Sequence, residues 1–192
     1  MDRGYVTKEE IHTIMNTKMP DKTHELVRDL FLFSTFTGLA YSDVKNLTED
    51  NLQTFFDGNL WITTRRKKTN TESNIRLLDV PKCIIEKYKG MTRDNKVFPM
   101  PSNTTCNKIL KTIAKLCGIK THLTYHVARH SAATTILLSN GVPIETVSRL
   151  LGHTNIKTTQ IYAKITAQKI SQDLEQLSDK LGDMEKSICS AI

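Results

Sequence analysis

The amino-acid sequence predicts an α+β fold, mainly α, in which a helical body carries one small three-stranded antiparallel sheet. Three observations lead there. Apolar residues recur at helical spacing over most of the chain, strand-like runs are confined to residues 51–78, and an Asp57-Gly58 pair between two such runs signals a hairpin. With 192 residues the chain can bury a substantial core, and its length suits one large domain with a small appendage.

The first helix is expected near residues 8–17, because Thr7-Lys8-Glu9-Glu10 has the form of a capping box and precedes Ile11, Ile14 and Met15. After a loop with Pro20, residues 23–37 carry Leu26, Val27, Leu30, Phe31, Leu32, Phe33 and Phe36, a broadly apolar core helix ended by Gly38. Ser42-Asp43-Val44 opens a short helix. Residues 51–56 and 59–64 then read as strands joined at Asp57-Gly58, and Asn74 to Leu78 as the third. Between the second and third lies Arg65-Arg66-Lys67-Lys68-Thr69-Asn70, a basic turn whose charges repel unless an anion sits against them. From Pro81 onward helices are expected at about 81–89, 103–117, 125–140, 143–150, 155–164 and 166–186.

Lysine and arginine total 27 against 20 acidic residues, a net charge of +7 that suits a phosphate-bearing partner without requiring one. Cys83, Cys106, Cys117 and Cys189 are scattered, with no CxxC pair, so neither a zinc site nor a disulfide framework is indicated. No apolar run reaches membrane-spanning length, and Met1-Asp2-Arg3-Gly4-Tyr5 lacks a secretory apolar stretch, so a soluble, cytoplasmic protein is expected.

The chemistry concentrates near the C-terminal end. His126, Arg129 and His130 share one side of the helix that starts at Tyr125, through spacings of three and four. His153 falls in a turn after Leu150-Leu151-Gly152, Thr154 or Asn155 can cap the next helix, and Tyr162 lies about two turns into it. The break at Gly152 lets His153 and Tyr162 converge, although nine residues apart on one helix they would face opposite ways. Arginine clamps phosphate oxygens, histidines donate to the same oxygens or move protons, and a phenol can become a phosphotyrosine, so the set suits phosphoryl transfer. His122 and His130 stay outside the catalytic set, the first on a loop and the second as a core residue.

His126-x-x-Arg129, Leu151-Gly152-His153 and Tyr162, in that order and spacing, resemble the tyrosine recombinase (phage integrase) family from about Thr7 to Lys164. Thr37-Gly38-Leu39-Ala40-Tyr41-Ser42-Asp43-Val44 resembles the family's first box, and Lys68-Thr69 its β-hairpin lysine. The resemblance implies the DNA breaking-rejoining fold, with residues 1–164 as the catalytic domain, 165–192 as a helical tail, and an N-terminal core-binding domain absent from this piece. The tail's apolar stripe, Ile165, Ile170, Leu174, Leu177 and Leu181, fits packing onto a neighbouring protomer or onto its own domain equally well.

By the same resemblance Tyr162 attacks a DNA phosphodiester to give a 3′-phosphotyrosyl link, and Lys68 is the general acid for the leaving 5′-oxygen, with Lys67 an alternative. His126 and Arg129 act as base or cations for the Tyr162 phenolate, His153 holds a non-bridging oxygen with Arg129 as its strongest partner, and Asp43 supports the clamp from behind. No metal or cofactor is implied. The implied partners are double-stranded DNA, further copies forming a tetramer on it and accessory DNA-bending proteins, in a prokaryotic cytoplasm at the nucleoid, for integration or excision of a mobile element. One departure stands out: the first box normally has an arginine where this chain has Ala40. Either Arg66, Arg28 or Arg65 replaces it, or catalysis is weakened. Two competing readings are a non-catalytic helix-turn-helix DNA-binding protein, on residues 130–151, and a type IB topoisomerase.

Overall fold

The helix over Lys22–Thr37 is buried almost throughout from Val27 onward, and several of the other helices pack against it. The computed structural model describes residues 4–65, 71–92, 94–162 and 173–182. Arg66, Lys67, Lys68 and Cys189 lie outside them, as does most of the tail. The chain divides into two units, residues 1–162 and 163–192. In the second, residues 173–182 are helical.

Helix α1 spans Lys8–Asn16 and opens on the expected capping box, with the Thr7 side chain accepting from the Glu10 amide and Glu10 accepting from the Thr7 amide. The central helix α2, Lys22–Thr37, starts at Asp21, whose carboxylate accepts from the Thr23 and His24 amides. It stops at Gly38, where φ is +71°. Phe31, Phe33 and Leu30 on α2 are fully buried, and the helix packs against α1, α4 (Asp79–Tyr88), α5 (Asn103–Leu116) and α6 (Tyr125–Ser131). From Leu30 to Phe33 four large apolar residues follow one another around the helix, so this part has to be covered on all sides, whereas the charged first turn faces outward. Helix α3 covers Tyr41–Asn46, directly after the Gly38 turn.

The sheet runs β1 (Leu52–Thr54), β2 (Leu60–Arg65), β3 (Glu72–Arg76), antiparallel in that order. Pairing of Leu52 with Ile62 and of Ile62 with Ile75 places the apolar set on one face, where Ile62 and Ile75 are buried. The first strand is shorter than expected at both ends: Glu49–Asn51 form a 3₁₀ turn on Thr48, and Phe55 already belongs to the hairpin turn, where its carbonyl accepts from the Gly58 amide. The third begins two residues earlier and ends at Arg76, its ladder with β2 closing on the opposite-charge pair Arg65 and Glu72. Asp57 braces the first hairpin by accepting from the Trp61 indole at 2.9 Å and pairing with Arg76 at 3.1 Å.

The stretch expected as one helix over 125–140 is not uniform. After α6 the backbone widens into π-type turns over Ala132–Leu137, then tightens into a 3₁₀ turn, Leu138–Asn140, closed by Gly141. Hydroxyls compete for the ladder's carbonyls here: Thr134 donates to the His130 carbonyl at 2.7 Å and Ser131 to that of Val127 at 2.8 Å. Ser131 and Thr135 also hold the chain's start, the Val6 amide donating to Ser131 Oγ and Thr135 Oγ1 to the Val6 carbonyl. Helix α7, Ile144–Leu150, follows Pro143, and α8, Lys157–Gln160, is opened by Asn155, which accepts from the Lys157 amide. Tyr162 therefore sits just past the end of a short helix, not two turns into a longer one, with its amide bonded to the Thr159 carbonyl.

Candidate functional site

Arg129 ties the site together. It lies on α6 with only 8% of its surface exposed, and charge that deeply buried needs partners. Nη1 donates to the carbonyl of Gly38 and Nη2 to that of Leu151, each at 2.5 Å, and Nη2 also reaches His153 Nε2 at 3.0 Å. One guanidinium thus joins the end of α2, the turn after α7 and the helix that bears it.

Gly38 serves this junction in two ways. Its positive φ is a conformation that side chains disfavour, and a Cβ there would lie 2.7 Å from Leu151 Cδ2. The close approach brings its carbonyl to Arg129. Thr124 caps α6 by accepting from the Val127 amide, which sets the phase that turns Arg129 and His130 inward and leaves His126 exposed at the first turn.

Around Tyr162 the rings follow in sequence. The His126 and His130 centroids are 4.5 Å apart, and His130 meets the Tyr162 ring edge-to-face at 4.6 Å. His153 lies nearly parallel to the phenol at 6.4 Å. Beneath, Tyr162 packs with Leu137, Leu138 and Val142 on a small core of Ala133, Val147 and Leu151, separate from the main core around α2. The widened turns after α6, the Gly141 turn and α7 together therefore build the seat of the tyrosine. His153 is held from its other side by Thr159, whose Oγ1 is 2.8 Å from Nδ1.

The sheet is fastened to the same region: Ser73 Oγ on β3 donates to the Leu150 carbonyl at 2.8 Å, one residue before the Leu151-Gly152-His153 turn. The strand ends flanking residues 66–70 are thereby anchored beside the histidine turn. Asp43 is buried on α3, with Ser42 Oγ at 3.4 Å from its Oδ1. Among the described residues, no group of three or more His, Cys, Asp or Glu side chains is arranged to hold a metal ion, and no helix is long and apolar enough to cross a membrane.

Of the residues singled out in the sequence, Arg129, His153 and Tyr162 converge, with His126 joined to them through His130. The sequence suggests a core role for His130; the residue is indeed only 5% exposed, and its ring is also the one against the tyrosine. The spacing of four from His126 was the available signal. Arg28 has to be withdrawn as a replacement for the arginine missing at Ala40. Its guanidinium bonds to Asp29 at 2.8 Å and to the Thr17 carbonyl at 3.2 Å. It sits nine residues before the end of α2, roughly 14 Å along the helix axis. Arg65 is exposed at the end of β2, opposite Glu72.

Residues 4–169 match the profile of the phage integrase family. The chain is 30% identical over 198 residues to the tyrosine recombinase XerA of Thermococcus onnurineus, covering 94% of this chain and 65% of the relative. It is 34% identical over 165 residues to XerA of Saccharolobus solfataricus, covering 85% and 53%. It thus spans less than two thirds of these relatives' own length. Among solved structures, a XerA recombinase superposes with a TM-score of 0.71 at 20% identity, over 90% of this chain and 64% of the other. An integrase of the transposon Tn1549, solved with transposon right end DNA, gives 0.67 at 18%, over 93% and 67%. Those likenesses show the same fold. Together with the family match, which takes in every residue placed in the site above, they establish that the chain belongs to the phage integrase family of tyrosine recombinases.

Proposed function

We propose that the protein is a site-specific DNA recombinase whose residues 1–164 form the catalytic domain and whose nucleophile is Tyr162. The observation that carries this reading is the packing of Tyr162 against His130 and near His153 while Arg129 bonds to His153. A phenol, two imidazoles and a guanidinium drawn from three segments of one chain suit an attack on a phosphodiester.

In the reaction the Tyr162 oxygen bonds to phosphorus and the bond from phosphorus to the 5′-oxygen breaks. The phenolic proton passes to His126 or to water, and the 5′-oxygen takes a proton from Lys68, whose ammonium prevents the loss of a bare alkoxide. Arg129 and His153 neutralise the non-bridging oxygens as charge builds on them, the stabilisation that dominates phosphoryl transfer. The 3′-phosphotyrosyl bond keeps the energy of the broken linkage, so a second 5′-hydroxyl can restore the DNA without ATP. No divalent metal enters this scheme. Arg66 remains the proposed substitute for the arginine missing at Ala40, and Asp43 the residue that braces the phosphate clamp.

Excess positive charge and the recombinase relatives support double-stranded DNA as the partner. Exchange of strands requires several active protomers, so assembly on DNA as a tetramer, with accessory bending proteins, belongs to the same proposal, as do a mobile element as the substrate's source and action at a prokaryotic nucleoid. The test is covalent trapping in EDTA on a nicked DNA duplex that the protein itself selects from a random-sequence pool. Wild type should form a protein–DNA adduct and Tyr162→Phe none. Binding by wild type without any adduct would instead identify a non-catalytic DNA-binding protein, and relaxation of supercoils without strand exchange a topoisomerase.

A further inference from the structure

His153 stands between two partners of different character. Arg129 Nη2 lies 3.0 Å from Nε2, and Thr159 Oγ1 lies 2.8 Å from Nδ1. A guanidinium can only donate, so Nε2 presents its lone pair; in a neutral imidazole the proton is then on Nδ1, and it is donated to Thr159. In this state His153 cannot donate to a phosphate oxygen from Nε2. Thr159 is fully buried, lies three residues before Tyr162, and its carbonyl accepts from the Tyr162 amide at 3.0 Å.

We propose that Thr159 is a positioning residue for His153, and that its hydroxyl lets Nε2 alternate between accepting from Arg129 and donating to a substrate phosphate. An arriving phosphate draws the Arg129 N–H bonds to itself through charge-assisted contacts, and Nε2 loses its donor. Nε2 can then take a proton from water while Nδ1 returns one to water, with no change in net charge. Nδ1 thereby turns from donor to acceptor. A side chain that only donates or only accepts would be mismatched in one of the two states, whereas a hydroxyl rotates and serves both. If Nε2 is protonated and Nδ1 keeps its proton, the hydroxyl goes on accepting. Because Thr159 and Tyr162 share a turn, the same residue sets histidine and nucleophile relative to each other. The role during reaction rests on the recombinase reading; the pairing at rest does not.

The test uses this chain with ¹⁵N-labelled histidine and compares wild type with Thr159→Val and Thr159→Ser. Without DNA, ring nitrogen shifts should report His153 as the Nδ1–H form in wild type and Thr159→Ser, and as a mixture of tautomers in Thr159→Val. Identical His153 spectra in all three, or an Nε2–H form in wild type, would overturn the assignment. On the self-selected nicked duplex, single-turnover cleavage by Thr159→Val should slow about tenfold at unchanged DNA affinity, with Thr159→Ser restored to within about twofold of wild type. Wild-type speed in Thr159→Val, or equal slowing in Thr159→Ser, would remove Thr159 from the reaction. No cleavage by wild type would defeat the recombinase reading instead, and the DNA-free spectra would still decide the pairing.

Discussion

Arg129 illustrates how one side chain takes on structural and chemical duties together. Its two carbonyl partners, Gly38 and Leu151, belong to segments 91 and 22 residues away, so the side chain fastens the site it is proposed to operate. Lysine at this position would keep the charge but not the planar fork that reaches both carbonyls and His153. We therefore expect Arg129→Lys to abolish covalent trapping and also to lower unfolding free energy by about 2–3 kcal/mol, the size of lost hydrogen bonds to a buried charge. Urea denaturation checks the second effect. Unchanged stability would mean that the carbonyl bonds contribute nothing net. Arg28 teaches the opposite lesson: an arginine close in sequence to the first box is committed to its neighbour Asp29, to Glu25 one turn back and to the Thr17 carbonyl, and of these only the Thr17 contact lies beyond local sequence.

Among the elements, the turn that ends α2 is the most constrained. Gly38→Ala would meet both a disfavoured φ and the Leu151 side chain, whereas Gly141, with φ at +83°, has nothing within 4 Å of an added Cβ. Gly38→Ala should destabilise by about 2–4 kcal/mol, and Gly141→Ala by about 1 kcal/mol, since only the backbone preference acts there. Chemical denaturation of the two variants side by side makes the comparison, and equal losses would show that the contact with Leu151 relaxes without cost. Helix boundaries in this part of the chain were legible because they are written locally, in Thr7 with Glu10, in Gly38 and in Gly141. The π-type turns after α6 were not. They arise where Ser131 and Thr135 reach Val6, more than a hundred residues earlier, and periodicity in a single segment carries no trace of such a contact.

For the molecule as a whole, two buried phenols and the buried Cys106 thiol lower stability at alkaline pH. Burial raises the pKa of Tyr88, with the hydrogen bond it donates to Asp29 adding to the effect, and burial raises that of Tyr125, with Cys106 beside it. In the unfolded chain both ionise near ~10, while the folded protein keeps the protons. Above that value the unfolded state binds fewer protons, so stability falls as pH rises. The phenols' contribution is fully present well below about pH 10, but the buried Cys106 thiol, whose pKa burial also raises, starts the decline about a unit earlier, so the urea midpoint should begin to fall at pH ~9 and drop more steeply above pH ~10. Tyr88→Phe should lessen the drop. A midpoint that stays level well above pH 10 would show that these phenols ionise freely in the fold.

Taken alone, the sequence marked the residues proposed to carry the chemistry and their order along the chain, and it determined the mainly α architecture with its small sheet and most helix starts and stops. All of these follow from short-range rules: caps, periodicity and hairpin turns act within a few residues. Only the tertiary structure decided that His130 rather than His126 lies against Tyr162, that Arg129 is bound to Gly38 and Leu151, that Thr159 grips His153, and that Arg28 is spent elsewhere. Those outcomes depend on which buried donors and acceptors meet once the chain is packed. Desolvation enforces that pairing across the whole molecule, and a local stretch of sequence does not encode it.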